Sequence, residues 1–288
     1  MKLKLCLESD MMQYSYDGKS TLYLISTPIG NLEDMTYRSV KVLEEVSVIF
    51  SEDTRVTLNL LNYLGISKKL IALHEHNEDT MKEKVLEYLE EGKSVALVTD
   101  RGTPVISDPG FKTTEYIIKS GYNVVALPGA TAFVPALITS GIAPQPFLFY
   151  GFLNSNDSKR KKELEELSDT KCTMIFYEAP HRILKTLKLM FDVFGDRNIS
   201  ISREITKKFE SIYRGRISEL SQMVPEKGEF VLIVEGNSSN NIDESLSEIE
   251  TVNLYIKAGL SVMDAIKRVA KERNVSKSDI YNLYHKGE

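Results

Sequence analysis

Seven short apolar runs punctuate the chain, and each gives way at once to a polar or Gly/Pro-containing loop. They are TLYLIS (21–26), VSVIF (46–50), SVALV (94–98), NVVAL (123–127), TMIFY (173–177), NISIS (198–202) and FVLIV (230–234). Runs of this length rich in β-branched residues predict buried strands. Between them lie stretches with helical spacing. DMTYRSVKVLEE (34–45) opens on Asp34, a candidate N-cap; DTMKEKVLEYLEE (79–91) stops at Gly92; residues 113–120 stop at Gly121. Short strands alternating with helices predict βαβ units and a mostly parallel sheet, an α/β chain.

The pattern breaks twice. APQPFLFYGFLNSND (143–157) reads as a boundary, which puts a first αβα lobe at 21–145 and a second at 146–237. NSSNNIDES (237–245) reads as a linker, so 238–288 would be linker plus a small helical tail, with Ser261 and Ser276 as N-cap candidates. The tail spacing is loosely helix-turn-helix, a pattern that in most proteins only packs. Residues 1–20 read as a poorly ordered leader, and Met11 and Met12 leave room for a later natural start.

Composition narrows this little. Of 288 residues, 42% are hydrophobic and 27% charged, as in a soluble globular protein. No apolar run reaches bilayer length, and the first residues do not form a signal peptide. Two cysteines, Cys6 and Cys172, make no disulfide framework, which points to the cytoplasm. The histidines, including the HEH at 74–76, show no convincing metal spacing, so no metal is expected. The net charge of −5 argues against a general nucleic-acid coat. Local positive charge remains: KRKK (Lys159, Arg160, Lys161, Lys162), the stretch 203–216 with Arg203, Lys207 and Lys208, and the lysine-rich tail. Any one such run is ordinarily a solvated face.

The strand ends carry the chemistry. In open sheets, ligands bind beyond the carboxyl ends of parallel strands. TDRGTPVISDPG (99–110) follows one strand with two glycines, two prolines and two aspartates. PGATA (128–132), TPIGN (27–31), SEDTR (51–55), REITK (203–207) and the Glu178–Pro180 turn follow others. Neither phosphate-binding pattern, G-x-x-x-x-G-K-[ST] or G-x-G-x-x-G, occurs, which disfavours a kinase or a dehydrogenase.

Taken in order, TPIGNLED, SEDTR, HEHNE, GTPVISDPG, LPGATA, FYEAPHR, REITKKFE and GEFVLIVEG resemble the tetrapyrrole (corrin/porphyrin) methylase superfamily over roughly residues 20–236. The resemblance implies two αβα lobes with S-adenosylmethionine in the cleft between them, and a homodimer. Within the superfamily it is to an RNA-directed branch. That implies methyl transfer to the ribose 2′-hydroxyl of a cytidine in the decoding region of 16S rRNA, within the 30S subunit. Asp100, Gly102, Thr103 and Ile106 fall on cofactor-facing positions, as do Thr131 and Ala132, and more loosely Pro28. Tyr177 and Glu178 approach from the second lobe. Glu52, Asp53, Glu178, Glu204 and Lys207 are the candidates for the base that takes the hydroxyl proton. Arg55, Arg203, Lys207 and Lys208, with the KRKK segment, are candidates for RNA phosphates. Arg101 departs from the pattern, where relatives usually carry alanine; it could pair with Asp100, point to solvent or reach an RNA phosphate, and pairing or solvent is the expectation. Three rivals stand beside this: a methylase of a small tetrapyrrole, a non-enzymatic RNA-binding assembly factor with a vestigial cofactor site, and a nucleotide-binding enzyme with an unfamiliar loop, which the absent phosphate motifs weaken.

Overall fold

Ten strands form two five-stranded sheets in the computed structural model, which describes residues 12–15, 17–237, 246–257, 260–273 and 275–286. The first sheet contains β1 (Thr21–Ile25), β2 (Val48–Ser51), β3 (Leu70–Ala72), β4 (Val95–Val98) and β5 (Asn123–Leu127). Its order is β3-β2-β4-β1-β5 and every pairing is parallel. β2 and β4 are buried at every position, which is why they read as unbroken apolar runs. Helices α1 (Tyr37–Glu45), α2 (Thr54–Leu64), α3 (Glu78–Glu90) and α4 (Phe111–Lys119) connect the strands. Leu43 and Leu61 pack with Ile49, Ala96 and Val98 on one face of this sheet. Val85, Leu89 and Ile117 pack with Phe50 and Leu97 on the other.

The second sheet contains β6 (Phe147–Phe152), β7 (Thr173–Glu178), β8 (Asn198–Arg203), β9 (Ser211–Arg216) and β10 (Phe230–Val234), in the order β6-β7-β10-β8-β9. Here the expectation of a mostly parallel sheet fails: only β6 and β7 run parallel. The loop from Glu204 to Glu210 is too short for a crossover, so β8 and β9 form a hairpin. Helices α6 (Asp157–Leu167), α7 (Ile183–Phe194) and the short α8 (Ile217–Leu220) accompany this sheet. Leu164 and Leu187 pack with Phe176, Ile201 and Leu232 on one face. The opposite face is covered by α5 (Phe133–Thr139), a helix from the first half of the chain: Ala136 and Leu137 pack on Ile175, Val231 and Ile233. That helix fastens the two lobes together.

Several boundaries differ from expectation. The stretch 143–157 contains a strand, β6. Helix α1 is capped by Thr36, whose hydroxyl accepts from the Ser39 N–H, while Asp34 ends a separate 3-10 turn, Leu32–Asp34. Of the supposed leader, residues 1–11 and 16 lie outside the described residues. The described remainder is tied down: the Gln13 side-chain amide bonds both the N–H and the C=O of Val124 on β5, each at 2.9 Å. The tail is three helices, α9 (Glu248–Lys257), α10 (Val262–Glu272) and α11 (Lys277–Lys286), around Val252, Ile266, Val269 and Ile280. Ser261 and Ser276 accept from the Asp264 and Asp279 N–H groups at 3.2 Å, as N-caps do. The expected linker falls mostly outside the described residues. No described helix is long and apolar enough to cross a membrane.

Candidate active site

The loops after β1, β4 and β5 are stitched into one surface. Thr27 and Gly102 exchange both backbone hydrogen bonds, at 2.9 and 3.0 Å. The Thr103 hydroxyl lies 3.0 Å from that of Ser26 and donates to the Ala130 carbonyl at 3.1 Å. A Cβ on Gly129 would fall 2.7 Å from the Ser26 Cβ, so only glycine lets the β1 and β5 loops meet. The loop after β4 carries positive φ at Gly102, Gly110 and Val105. For a β-branched residue such as Val105 this is a strained backbone, the kind held at functional sites.

Against this surface, the second sheet closes a cavity of about 430 Å³. Gly102, Thr103, Ile106, Thr131 and Ala132 line it from the first lobe, Tyr177 and Glu178 from the second. Seven predicted residues thus meet at one place. Pro28 and Asp100, also expected beside the cofactor, line a different, neighbouring cavity of about 550 Å³ between the TPIGN loop, α2 and Lys207. Arg101 lines both.

Four carboxylates gather at these cavities, with Asp108 lining the first and Asp100 the second. The Thr99 hydroxyl donates to Glu52 at 2.8 Å, and the Asp53 N–H donates to Asp100 at 3.0 Å. Burial pushes the Asp108 carboxyl up to about 6, with Glu52 and Asp100 adding repulsion against a bond from Thr99. Burial also raises Asp100, helped by Glu52 and Asp53. Asp53 is different. It caps α2 and chelates Arg55, whose hydrogen bonds hold its carboxyl down to about 2.

A chain of ion pairs crosses the cleft. Of the two expectations for Arg101, solvent fits in part: the side chain is 56% exposed, but it pairs with Glu229 at 2.7 Å and not with Asp100. Lys207 pairs with the other Glu229 oxygen at 2.7 Å and with Glu204 at 2.9 Å. Burial pulls the Lys207 ammonium down, but these two partners outweigh it and leave its pKa above the ordinary lysine value. Burial likewise raises Glu204, and the Lys207 and Glu229 N–H bonds more than reverse it. Glu204 and Thr206 both adopt positive φ in this loop. Gly30 makes room for it, because a Cβ there would clash with Lys207 Cγ.

Glu178 lines the first cavity, yet its carboxylate is 1% exposed and fully engaged by Arg182 at 2.6 Å, the Ala179 N–H at 2.7 Å and the Thr186 hydroxyl. It holds the start of α7 and offers the cavity no idle oxygen. Other predicted residues lie apart. Arg160 is 1% exposed and bonded to Asp157, so it corrects the reading of KRKK as four RNA-facing cations. Lys159, Lys161 and Lys162 are exposed on α6 and line neither cavity. Arg203 donates to the Lys227 and Phe209 carbonyls, and Lys208 sits over the Phe209 ring. Arg55 is exposed. His74 and His76 have ring centroids 6.0 Å apart, and no described group of three potential ligands could hold a metal.

Comparison with known proteins fits this geometry. The sequence pattern of the Tetrapyrrole (Corrin/Porphyrin) Methylases matches residues 21–221. The chain belongs to the tetrapyrrole methylase family. It is 47% identical to the ribosomal RNA small subunit methyltransferase I of Bacillus subtilis (strain 168), over 95% of this chain and 98% of that one. The protein of the same name from Haemophilus influenzae is 42% identical over 93% and 97%. Two solved structures share the fold. One is the uroporphyrin-III-C-methyltransferase of Thermus thermophilus, with TM-score 0.54, 16% identity, and 75% of this chain and 94% of that one covered. The other is a diphthine synthase, with TM-score 0.58, 12% identity and coverage of 76% and 90%.

Two residues of this candidate site escaped the sequence reading. Asp108 stood inside a quoted loop but was read only as part of a turn. Glu229 precedes a strand, and attention had gone to residues that follow strands. Because β10 runs antiparallel to β7 and β8, its first residue Phe230 pairs with both Glu178 and Arg203. The amino end of β10 therefore meets their carboxyl ends. Antiparallel pairing is the signal a parallel template conceals.

Proposed function

We propose that this methylase transfers a methyl group from S-adenosylmethionine to small-subunit ribosomal RNA, at the ribose 2′-hydroxyl of a cytidine in the decoding region. What supports the RNA substrate is full-length similarity to relatives named for that substrate. What supports the donor is the 430 Å³ cavity itself. Ile29, Ile106, Phe230 and Val231 offer apolar walls for an adenine ring, and Tyr177 an aromatic edge. Gly102 brings backbone to the surface, and Asp108 places a carboxylate where a cationic donor gains from it.

The bound donor supplies a methyl group already activated on a positive sulfur. The chain's own work is to position the acceptor, exclude water and receive the hydroxyl proton. Asp100 is the base best placed for this. It lines the second cavity, its pKa is raised, and one oxygen is fixed by the Asp53 N–H. Lys207 stays charged and Glu178 is fully hydrogen-bonded, so neither suits the role. Lys207 and Arg101 instead put positive charge at the second cavity for the RNA backbone.

The test is transfer from labelled S-adenosylmethionine into 30S particles, with protein-free 16S rRNA and a tetrapyrrole precursor in parallel. Label at one decoding-region 2′-O-methylcytidine is the expected result. Label confined to the tetrapyrrole would overturn the RNA substrate, and cofactor binding with no transfer at all would favour the assembly-factor reading.

A further inference from the structure

The second cavity has a layout the methyl donor does not use. Four residues of α2, Val56, Thr57, Asn59 and Leu60, line it, and Val56, Asn59 and Leu60 have the spacing that puts side chains on one helix face. Leu32 lines it from the 3-10 turn that follows the TPIGN loop. Val56 and Leu32 are both substantially exposed, at 39% and 41%, although each belongs to an ordered element. Asn59 is exposed as well, and its amide has no hydrogen-bond partner among the described residues. Asp100, Arg101 and Lys207 line the same cavity along with these residues.

We propose that this cavity seats the acceptor nucleoside, a pyrimidine splayed out of single-stranded RNA, and that Asn59 reads the edge of its base. The inference rests on the RNA-methylating reading above and locates the acceptor within it. An unstacked base needs apolar faces on both sides, and Leu32 with the Val56–Leu60 pair supplies them. A base edge offers donors and acceptors together, and a carboxamide is a neutral side chain that answers both. The ribose then lies toward Asp100, and the flanking phosphates toward Lys207 and Arg101. The volume of about 550 Å³ lies inside the range of about 300–1,000 Å³ usual for small-molecule sites. Arg101 lines both cavities, so the ribose oxygen and the methyl group must meet beside its side chain.

Val56→Trp and Asn59→Ala test this, since both positions are exposed on a stable helix and neither touches the donor cavity. The readouts are labelled methyl transfer into 30S particles, S-adenosylmethionine affinity by calorimetry, and 5′-cytidine monophosphate binding by the same method. Val56→Trp is expected to fill the site: transfer falls more than about a hundredfold, cytidine monophosphate binding is lost, and donor affinity stays unchanged. Asn59→Ala is expected to raise KM for 30S about tenfold or more and to narrow the preference for cytidine over uridine at the target. Transfer at wild-type rate by both variants would overturn the site. If the wild-type chain labels no 30S particle yet binds cytidine monophosphate in a Val56-dependent way, the site stands and the RNA reading falls.

Discussion

Arg101 donates to Glu229 from across the cleft, Nη1 to Oε1 at 2.7 Å, and so joins the loop after β4 to the start of β10. Both side chains are more than half exposed. Such a pair contributes about 0–1 kcal/mol and weakens with salt. Arg101→Ala should therefore melt close to wild type. Because Arg101 also lines both cavities and faces the acceptor phosphates, transfer should fall about tenfold with donor affinity intact. Transfer at the wild-type rate would show that Arg101 does not handle the acceptor.

Asp108 makes stability depend on pH in a defined direction. Its folded pKa of about 6 lies above the ordinary 3.8. The native state thus keeps a proton that the unfolded chain has released. Stability contributed by this group falls as pH rises from about 4 to about 6 and stays lost above that. Asp108→Asn cannot titrate, so its melting temperature relative to wild type should climb across that window. Parallel curves for the two proteins would show that Asp108 is not buried against its neighbours.

Glu178 serves the fold. Glu178→Ala leaves the largely buried Arg182 unpaired and should cost about 3–5 kcal/mol, read from the urea midpoint. Glu178→Gln keeps the shape and part of the hydrogen bonding, and should keep transfer in proportion to the folded fraction. A Gln variant that is folded but inactive would return Glu178 to the chemistry.

Lys207 separates two carboxylates that otherwise repel. Lys207→Gln should destabilise by about 1–3 kcal/mol and reduce transfer more than it reduces donor binding. Gly30→Ala should reproduce the same activity loss without removing the charge, since its Cβ displaces the Lys207 stem. Full activity in both variants would show the Glu204–Lys207–Glu229 chain to be dispensable.

Which elements the sequence revealed follows from where they sit. All seven apolar runs became strands. The three strands that left no such signal, β3, β6 and β9, all lie on sheet edges. An edge strand is covered on fewer sides, and SIYRGR shows it: β9 has no fully buried residue. Most residues that the resemblance assigned to the donor meet at one cavity, because glycines and small polar residues there answer to backbone geometry. The ion pairs were illegible. Arg101 and Glu229 are 128 positions apart, and only the antiparallel placement of β10 brings them together. Burial was equally hidden: nothing in KRKK distinguishes Arg160 from the lysines around it.

Gln13 has a consequence beyond local order. β5 ends the first sheet, and its outward backbone groups could serve as a template for a foreign strand. A single primary amide occupies the N–H and the C=O of Val124 together. It imitates a peptide bond without bringing a strand of its own. At Val124 one side chain thus takes up the backbone donor and acceptor that an added strand would need.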